Sequence, residues 1–306
     1  MNENIVQDIL TNLNNADTLN VRLLFCRKAK TGYTAYAPNI SNAIKDDIIN
    51  LIKHNLETKV DLRPVEFNPV RPCADGEIEH CSINYVGNFQ EVIQSFRNPD
   101  NVETGLNPLD LTFYCLIVTL PDENCEYCFY RRITKFKRLE SSGIKACFSG
   151  NTLNKIEQQI FGIDGFIDLV HVNNDIFIFN HIALERIFRL TEEFSSRANE
   201  ALRILGETNR ISNFEQFEND CLSDARYYKI LSRMLEYRSD FCEEFVKNFN
   251  SIREVIDMFD LNIEIREGNP PQIVYSDREQ RMDILRIIND AYCKSVICER
   301  NVIADN

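Results

Sequence analysis

The chain has 306 residues, 44% of them hydrophobic, which is enough for one large domain or two smaller ones with a sizeable core. The formal net charge of −13 opposes any broad nonspecific attraction to nucleic-acid phosphates or anionic lipids, so such a contact needs a local basic patch. The longest apolar stretch, residues 111–120, is about half as long as a membrane-spanning helix, and the N-terminus lacks the features of a signal peptide. A soluble cytoplasmic protein with reduced cysteines is expected.

The first part of the chain alternates between predicted strands and helices. Alternating apolar and polar residues over 18–28, followed by 33–37 after a glycine-containing turn, predict a β-hairpin. Residues 42–57 carry apolar side chains at three- and four-residue steps behind a candidate N-cap, Ser41, so an amphipathic helix is expected there. A short helix is expected over 89–97, before an Asn-Pro pair.

Two further hairpins are predicted in the middle of the chain. The first joins residues 111–120 to 125–136 across a proline-containing turn, and it has the strongest strand signal in the sequence. The second surrounds Asn173-Asn174 and leads directly into a helix predicted over 181–194. A loop-rich passage between these two hairpins, residues 141–152, is the expected domain boundary.

The rest of the chain is predicted to be mainly helical. Apolar residues recur at three- and four-residue steps over 214–259, with a break expected at Ser239-Asp240. Such a helical hairpin either packs its own core or offers a surface for self-association. Short strands are expected on either side of Asn269-Pro270, followed by a helix over 277–292. 

The predicted fold class is α+β. An N-terminal mixed α/β domain with hairpins is expected over 1–150, and a second domain, a β-hairpin plus a mainly helical region, over 151–306.

Standard catalytic and cofactor-binding motifs are absent from the sequence. It contains no G-x-G-x-x-G, no Walker A motif, no H-E-x-x-H, no G-x-S-x-G and no kinase signature. We therefore predict no resident cofactor and no catalytic residue, and a binding function is favoured over an enzyme.

The cysteines and histidines do not form a predicted metal site. Cys125 and Cys128 form the only C-x-x-C, but residues three apart on a strand point to opposite faces, and no second pair supplies further ligands. His171 and His181 are expected to have structural roles. His181 and Glu185 are spaced to share a helix face, but two ligands without a third are not a site.

Three carboxylates around the second hairpin leave an enzymatic alternative open. Asp164, Asp168 and Asp175 have the residue type with which phosphodiesterases hold magnesium at strand ends. Asp175 is explained equally well by the Asn-Asn-Asp turn, and no downstream Glu-x-Lys arrangement completes a nuclease core.

One segment stands out against the acidic average, and we call it the basic row: Arg131, Arg132, Lys135, Lys137 and Arg138. On a strand, three of these side chains would project from one face and could pair with phosphates. The alternative is a solvated strand edge whose charges prevent aggregation.

A second and weaker basic segment lies at the first hairpin turn. It contains Arg27, Lys28 and Lys30, beside Tyr33 and Tyr36, whose rings could stack on bases.

Two segments of the sequence resemble the KwaB-like domain family of the bacterial Kiwa antiphage defence system. In FGIDGFIDLVHVNNDIFIFNHIALERIF, a strand, a turn, a second strand and a helix follow in the family's order, with Leu184 where an aromatic residue usually precedes Glu185. In REQRMDILRIINDAYCKSVICERNVI, a helix leads to Asn289-Asp290 and then to Ser295, but the family's following threonine-glycine is missing. The resemblance covers about residues 150–306.

The resemblance implies a homodimer that binds phage DNA nonspecifically and works with the membrane protein KwaA, which would recruit it to the inner membrane. We expect the basic row to contact DNA phosphates. Two alternatives stay open: a metal-dependent nuclease that uses Asp164 or Asp168, and a protein-binding adaptor with no DNA contact.

Overall fold

The structure is a computed structural model with two compact units, one formed by residues 1–68 and 72–190 and the other by 69–71 and 191–306. It describes residues 4–16, 18–29, 31–71, 73–100, 110–120, 125–133, 146–149, 152–155, 162–238, 240–295, 297–298 and 300–304.

The first unit is built on a large mixed sheet. Its strands are β1 (Asn20–Lys28), β2 (Tyr33–Tyr36), β3 (Arg63–Glu66), β4 (Glu77–Ser82), β5 (Phe113–Leu120), β6 (Cys125–Arg132), β7 (Ala146–Ser149), β8 (Thr152–Lys155), β9 (Leu169–Val172) and β10 (Asp175–Ile178). Eight of them form one sheet in the order β2-β1-β5-β6-β9-β10-β4-β3, and β7 pairs with β8. All neighbours in the large sheet are antiparallel except β3 and β4.

Helices cover both faces of this sheet. They are α1 (Ile5–Asn15), α2 (Asn42–Glu57), α3 (Phe89–Arg97) and α4 (His181–Ile187). Apolar residues of α1 and α2 pack with one face in a common core. On the other face, the ring of Phe89 in α3 lies 4.8 Å from the ring of His171, and Phe188 after α4 lies 5.7 Å from Tyr130. Strand β5 is therefore buried from both sides, as its uninterrupted apolar sequence requires.

The local sequence signals explain most of these elements. The hairpins β1–β2, β5–β6 and β9–β10 form where they were predicted. Helix α2 begins directly after Ser41, whose hydroxyl accepts a hydrogen bond from the amide of Ile44 at 3.4 Å, and this confirms the predicted N-cap.

The second hairpin is part of the first unit. Strand β9 pairs with β6, and β10 pairs with β4, so β9–β10 completes the large sheet. The two units meet in sequence at residues 190 and 191, and the boundary predicted at 150/151 lies inside the first unit. The physical reason is that a strand pair next to β6 supplies backbone hydrogen bonds that the sheet would otherwise lack.

The second unit is mainly helical. Its elements are α5 (Leu190–Glu207), β11 (Ile211–Ser212), α6 (Phe214–Leu222), α7 (Ala225–Tyr237), α8 (Phe241–Lys247), α9 (Ile252–Phe259), β12 (Glu264–Arg266), β13 (Gln272–Val274), α10 (Gln280–Ile288), β14 (Tyr292–Lys294) and β15 (Asn301–Ile303). The strands form a small sheet in the order β11-β13-β12 and a separate hairpin, β14–β15. Apolar side chains of the helices and of β11 and β13 form a second core. The α+β fold class is confirmed.

The helical predictions for this region were correct in type and too long in extent. The break expected at Ser239-Asp240 is present between α7 and α8, but 214–259 contains further breaks. The helix predicted over 181–194 ends at Ile187, because Arg189 has a left-handed backbone with φ of 56°. In the part of the chain that the structure describes, no helix combines the length and apolar character needed to cross a membrane.

Candidate nucleic-acid interface

The buried carboxylate of Asp168 organises the end of β6, where the basic row begins. Its Oδ2 accepts a hydrogen bond from the backbone amide of Arg132 at 2.7 Å. Its Oδ1 accepts from Nη1 of Arg131 at 3.0 Å and from Nδ2 of Asn180 at 2.9 Å. We call these residues, together with Asp164, the Asp168 cluster. Only 2% of the Asp168 side chain is exposed, so these contacts replace the hydration that burial removes.

The backbone of Asp168 connects the same elements. Its amide donates to the carbonyl of Tyr130 at 2.9 Å, and its carbonyl accepts from the amides of Phe179 and Asn180 at 2.9 and 3.0 Å. The side chain of Asn180 caps α4 by accepting from the amide of Ala183 at 3.3 Å. One residue thus joins β6, β9 and the start of α4.

Arg131 is held by two carboxylates. Its Nε and Nη2 donate to Asp164 at 2.9 and 2.7 Å, while Nη1 binds Asp168. Burial favours the neutral guanidine, but the hydrogen bonds and charges of Asp164 and Asp168 outweigh this effect and raise the pKa of Arg131. Tyr114, the cross-strand partner of Arg131, donates its hydroxyl hydrogen to the backbone carbonyl of Asp164 at 3.1 Å. Burial and the nearby side-chain carboxylate of Asp164 raise the pKa of Tyr114.

The loop before β9 brings an aromatic ring to the same place. At Gly165 the backbone lies so close to α2 that an added Cβ would stand 3.2 Å from Cβ of Leu51. Asp164 Oδ1 accepts from the amide of Phe166 at 3.2 Å. The guanidinium carbon of Arg131 lies over the ring of Phe166, 5.3 Å from the ring centre. Phe166 is 63% exposed.

The structure describes only the beginning of the basic row. Strand β6 ends at Arg132, and Lys135, Lys137 and Arg138 lie outside the described residues. Arg132 is half-buried, and its Nη1 is itself buried and has no hydrogen-bond partner within the described part of the chain. The two described arginines therefore differ: Arg131 is compensated by carboxylates, and Arg132 is bound through its backbone.

The carboxylates of the nuclease alternative are divided between two places. Asp164 and Asp168 both bind Arg131, and every Asp168 oxygen already accepts a hydrogen bond. Asp175 lies at the start of β10, opposite Val172 and Ser82. Over the described residues, no group of three or more His, Cys, Asp or Glu side chains is arranged to hold a metal ion.

The second basic segment forms a tightly packed turn. Nη2 of Arg189 donates to the carbonyls of Ala29 and Gly32, and its guanidinium lies 5.2 Å from the ring centre of Tyr33. The Tyr33 hydroxyl donates to the carbonyl of Ile187 at 2.7 Å. Its ring is thus part of the packing of the first unit. Lys30 lies outside the described residues.

Cys128 lies in a buried thiol–imidazole group inside the first unit. It faces His171 across the β6–β9 pair, while Cys125 packs into the core on the opposite face, as predicted for residues three apart on a strand. Hydrogen bonding with Cys115 lowers the pKa of the Cys128 thiol, and His171 lowers this pKa further. Burial raises the pKa but does not outweigh these two effects. Cys128 is only 1% exposed, whereas His171 is partly buried.

His181 lies between two glutamates, Glu79 and Glu185. Its Nδ1 lies 3.2 Å from Glu79, and its Nε2 lies 3.3 Å from Glu185, which confirms that His181 and Glu185 share a helix face. Burial favours the neutral imidazole, but hydrogen bonds with Glu185 and Glu79 outweigh it and raise the pKa of His181 from 6.5 to about 9. The imidazolium compensates Glu79, whose side chain is only 4% exposed.

Comparison with known protein families gives a match over the second part of the chain. The family model described as Kiwa protein KwaB-like matches residues 111–298, which is more than half of the chain and includes the whole Asp168 cluster. No curated protein and no solved structure matches the chain.

Replacing Asp168 with Asn should destabilise the protein by about 2–4 kcal/mol, because the buried ion pair with Arg131 is lost and an amide NH₂ is forced among donors. Urea denaturation measures this free energy of unfolding. Asp175→Asn is the matched control, since it makes the same chemical change at a turn, and it should cost less than about 0.5 kcal/mol. Equal effects of the two substitutions would contradict the structural role of the Asp168 cluster.

Stability should fall as pH rises from 6.5 to 9, because His181 binds its proton more tightly in the folded than in the unfolded state. This contribution is fully present below pH 6.5 and is lost as pH rises through about 9. Urea denaturation at both pH values measures the loss, which His181→Gln should reduce. His54→Gln, at a side chain that is 81% exposed, should leave the pH dependence unchanged. The same pH dependence in His181→Gln and the wild type would rule this explanation out.

Proposed function

The chain belongs to the Kiwa protein KwaB-like family, which makes it a component of Kiwa antiphage defence, and on that premise we propose that it binds phage DNA. Binding is through the phosphates and does not read the base sequence. The basic row provides the contacts, and no chemical step is assigned to the protein.

The observation that carries this proposal is the set of hydrogen bonds by which Asp168 fixes Arg131 and Arg132, the first two residues of the basic row. Asp168 holds the amide of Arg132 and the guanidinium of Arg131, so the chain leaves β6 in a fixed position. Because the backbone at Arg132 is fixed, the segment that carries the other cations starts from a defined point, and less entropy is lost when it meets a phosphate. In this proposal, Arg131 mainly positions the row, and Arg132, Lys135, Lys137 and Arg138 contact DNA.

The charge of the whole molecule makes a local contact necessary. At a net charge of −13, the mean field repels DNA, so the affinity must come from cations that are close to the phosphates. Such contacts release counterions and carry no sequence information. Binding that is nonspecific and strongly dependent on salt therefore follows from the proposal.

The same geometry argues for binding rather than cleavage. Asp164 and Asp168 already neutralise Arg131, and a magnesium ion at either carboxylate would have to displace that guanidinium. The arrangement is better suited to hold a cationic segment than to hold a metal.

We also propose that the protein acts as a homodimer and is recruited to the inner membrane by KwaA. Family membership supports this part of the proposal. A membrane partner would concentrate a DNA-binding protein at the surface where phage DNA enters the cell.

Reversing the charge of Lys135 and Lys137 together should weaken DNA binding at low salt by roughly tenfold or more and reduce the slope of log K against log salt by about 2. Fluorescence anisotropy titrations at several salt concentrations measure both quantities. The loss is expected because two phosphate contacts are replaced by two repulsions.

Lys247→Glu combined with Lys294→Glu is the matched control. It makes the same change in net charge at two exposed lysines of the second unit. If both double variants bind DNA equally well, net charge and not the basic row governs binding, and the assignment is wrong.

Recruitment by KwaA predicts a shift in cell fractionation. With KwaA present, the protein should sediment with the membranes, and without KwaA it should stay in the supernatant. The Lys135/Lys137 double variant should still sediment, since its DNA contact and its KwaA contact are proposed to be separate. An identical distribution with and without KwaA would contradict recruitment.

A further inference from the structure

Helix α7 lines a cavity of the second unit with one of its faces. The cavity has a volume of about 230 Å³. Four residues of the helix line it at three- and four-residue steps, namely Ile230, Arg233, Met234 and Tyr237. Met234 is buried in the core, whereas 47% of Tyr237 is exposed. The apolar series of this helix is therefore only partly used for packing.

Arg233 is a cation of this cavity without a carboxylate partner among the described residues. Its acidic neighbour on the helix, Glu236, pairs with Arg197 at 3.2 Å instead. The guanidinium carbon of Arg233 lies 5.3 Å from the ring centre of Tyr237. Its Nη1 is buried and has no hydrogen-bond partner in the described part of the chain, while its Nε and Nη2 are not buried and form no hydrogen bond there either. An anion beside Nε and Nη2 would offset the cost of this partly buried, uncompensated charge.

Two further polar residues line the cavity, Arg238 after α7 and Asn289 after α10. Nη1 of Arg238 donates to Oδ1 of Asn289 at 3.5 Å, and Nη2 of Arg238 pairs with Glu244. Within the described residues, no acidic side chain lines the cavity. The lining therefore carries positive charge, although the protein as a whole has a net charge of −13.

The size and the chemistry of the cavity limit what can fill it. Its volume of about 230 Å³ is several times the ~30 Å³ that one water molecule occupies in the liquid, and is below the ~300–1,000 Å³ of pockets for drug-sized ligands. The side chains of Ile230, Met234 and Tyr237 match a small apolar or aromatic body. A guanidinium matches a carboxylate or a phosphate, with which it forms charge-assisted hydrogen bonds.

We propose that this cavity binds a small organic anion, with its carboxylate or phosphate at Arg233 and its apolar body against Ile230, Met234 and Tyr237. The inference is independent of the proposed DNA contact, because the cavity belongs to the second unit and the end of β6 belongs to the first.

Isothermal titration calorimetry with benzoate, phenyl phosphate and benzamide tests this proposal. The first two probes combine an aromatic ring with an anionic group, and benzamide is the neutral counterpart of benzoate. At least one of the two anions should bind the wild-type protein about tenfold or more tightly than benzamide does, because hydrogen bonds between charged groups are stronger than neutral ones. The anion that binds more tightly identifies the head group as a carboxylate or a phosphate.

Arg233→Met should weaken the binding of that anion by about tenfold or more, because it removes the charged donor and keeps a long side chain. Urea denaturation should show little loss of stability, since Arg233 has no ion pair or hydrogen bond to lose within the described residues. If Arg233→Met does not fold, Arg233→Lys replaces it. Lysine keeps the charge without the planar fork, so this variant should bind the anion more weakly than the wild type.

Arg226→Met is the matched control. It makes the same change at an exposed position of the same helix that does not line the cavity, and it should leave the affinity for the anion unchanged.

Three results would overturn the proposal. The wild-type protein could bind no probe at millimolar concentration, or it could bind benzamide as tightly as the anions. Unchanged anion affinity in Arg233→Met would place the bound probe elsewhere in the protein. Each of these results leaves the proposed function intact, because none of them measures DNA binding.

Discussion

The buried carboxylate of Asp168 is the interaction on which the candidate site depends. It accepts hydrogen bonds from the backbone amide of Arg132, the last residue of β6, from the guanidinium of Arg131 and from Asn180, the N-cap residue of α4. A buried charge is stable only when its hydrogen bonds are complete, so these three elements must stay in register. The positions of Arg131 and Arg132 and of the loop that carries Asp164 follow from this requirement.

Charge compensation distinguishes the two described arginines at the end of β6. Arg131 pairs with both Asp164 and Asp168, so these two carboxylates compensate its charge. Phe166 is ordered by the same ion pair, through the amide contact to Asp164 and the guanidinium above its ring.

The sequence predicted local structure well and long-range contacts poorly. The three- and four-residue spacing of apolar side chains, together with Ser41 as the N-cap, was enough to predict α2, because helix formation depends on residues that are close in sequence. Helix α1 was not predicted, although Asn4 caps it and Val6, Ile9, Leu10 and Leu13 have the helical spacing. The sequence pointed to the basic row as a DNA contact and to Asp164 and Asp168 as metal ligands of an alternative nuclease, so these residues were treated as competing sites. Their pairing depends on the β6–β9 register, which no local pattern encodes.

The central claim is that this protein binds DNA through its phosphates, and the salt dependence of wild-type binding tests it most directly. Fluorescence anisotropy would be measured with labelled DNA at low and near-physiological salt, with and without magnesium. The account predicts binding at low salt that weakens with a slope of roughly −0.7 to −0.9 per phosphate contacted and that does not require magnesium. No binding at low salt, or binding that is independent of salt, would contradict it.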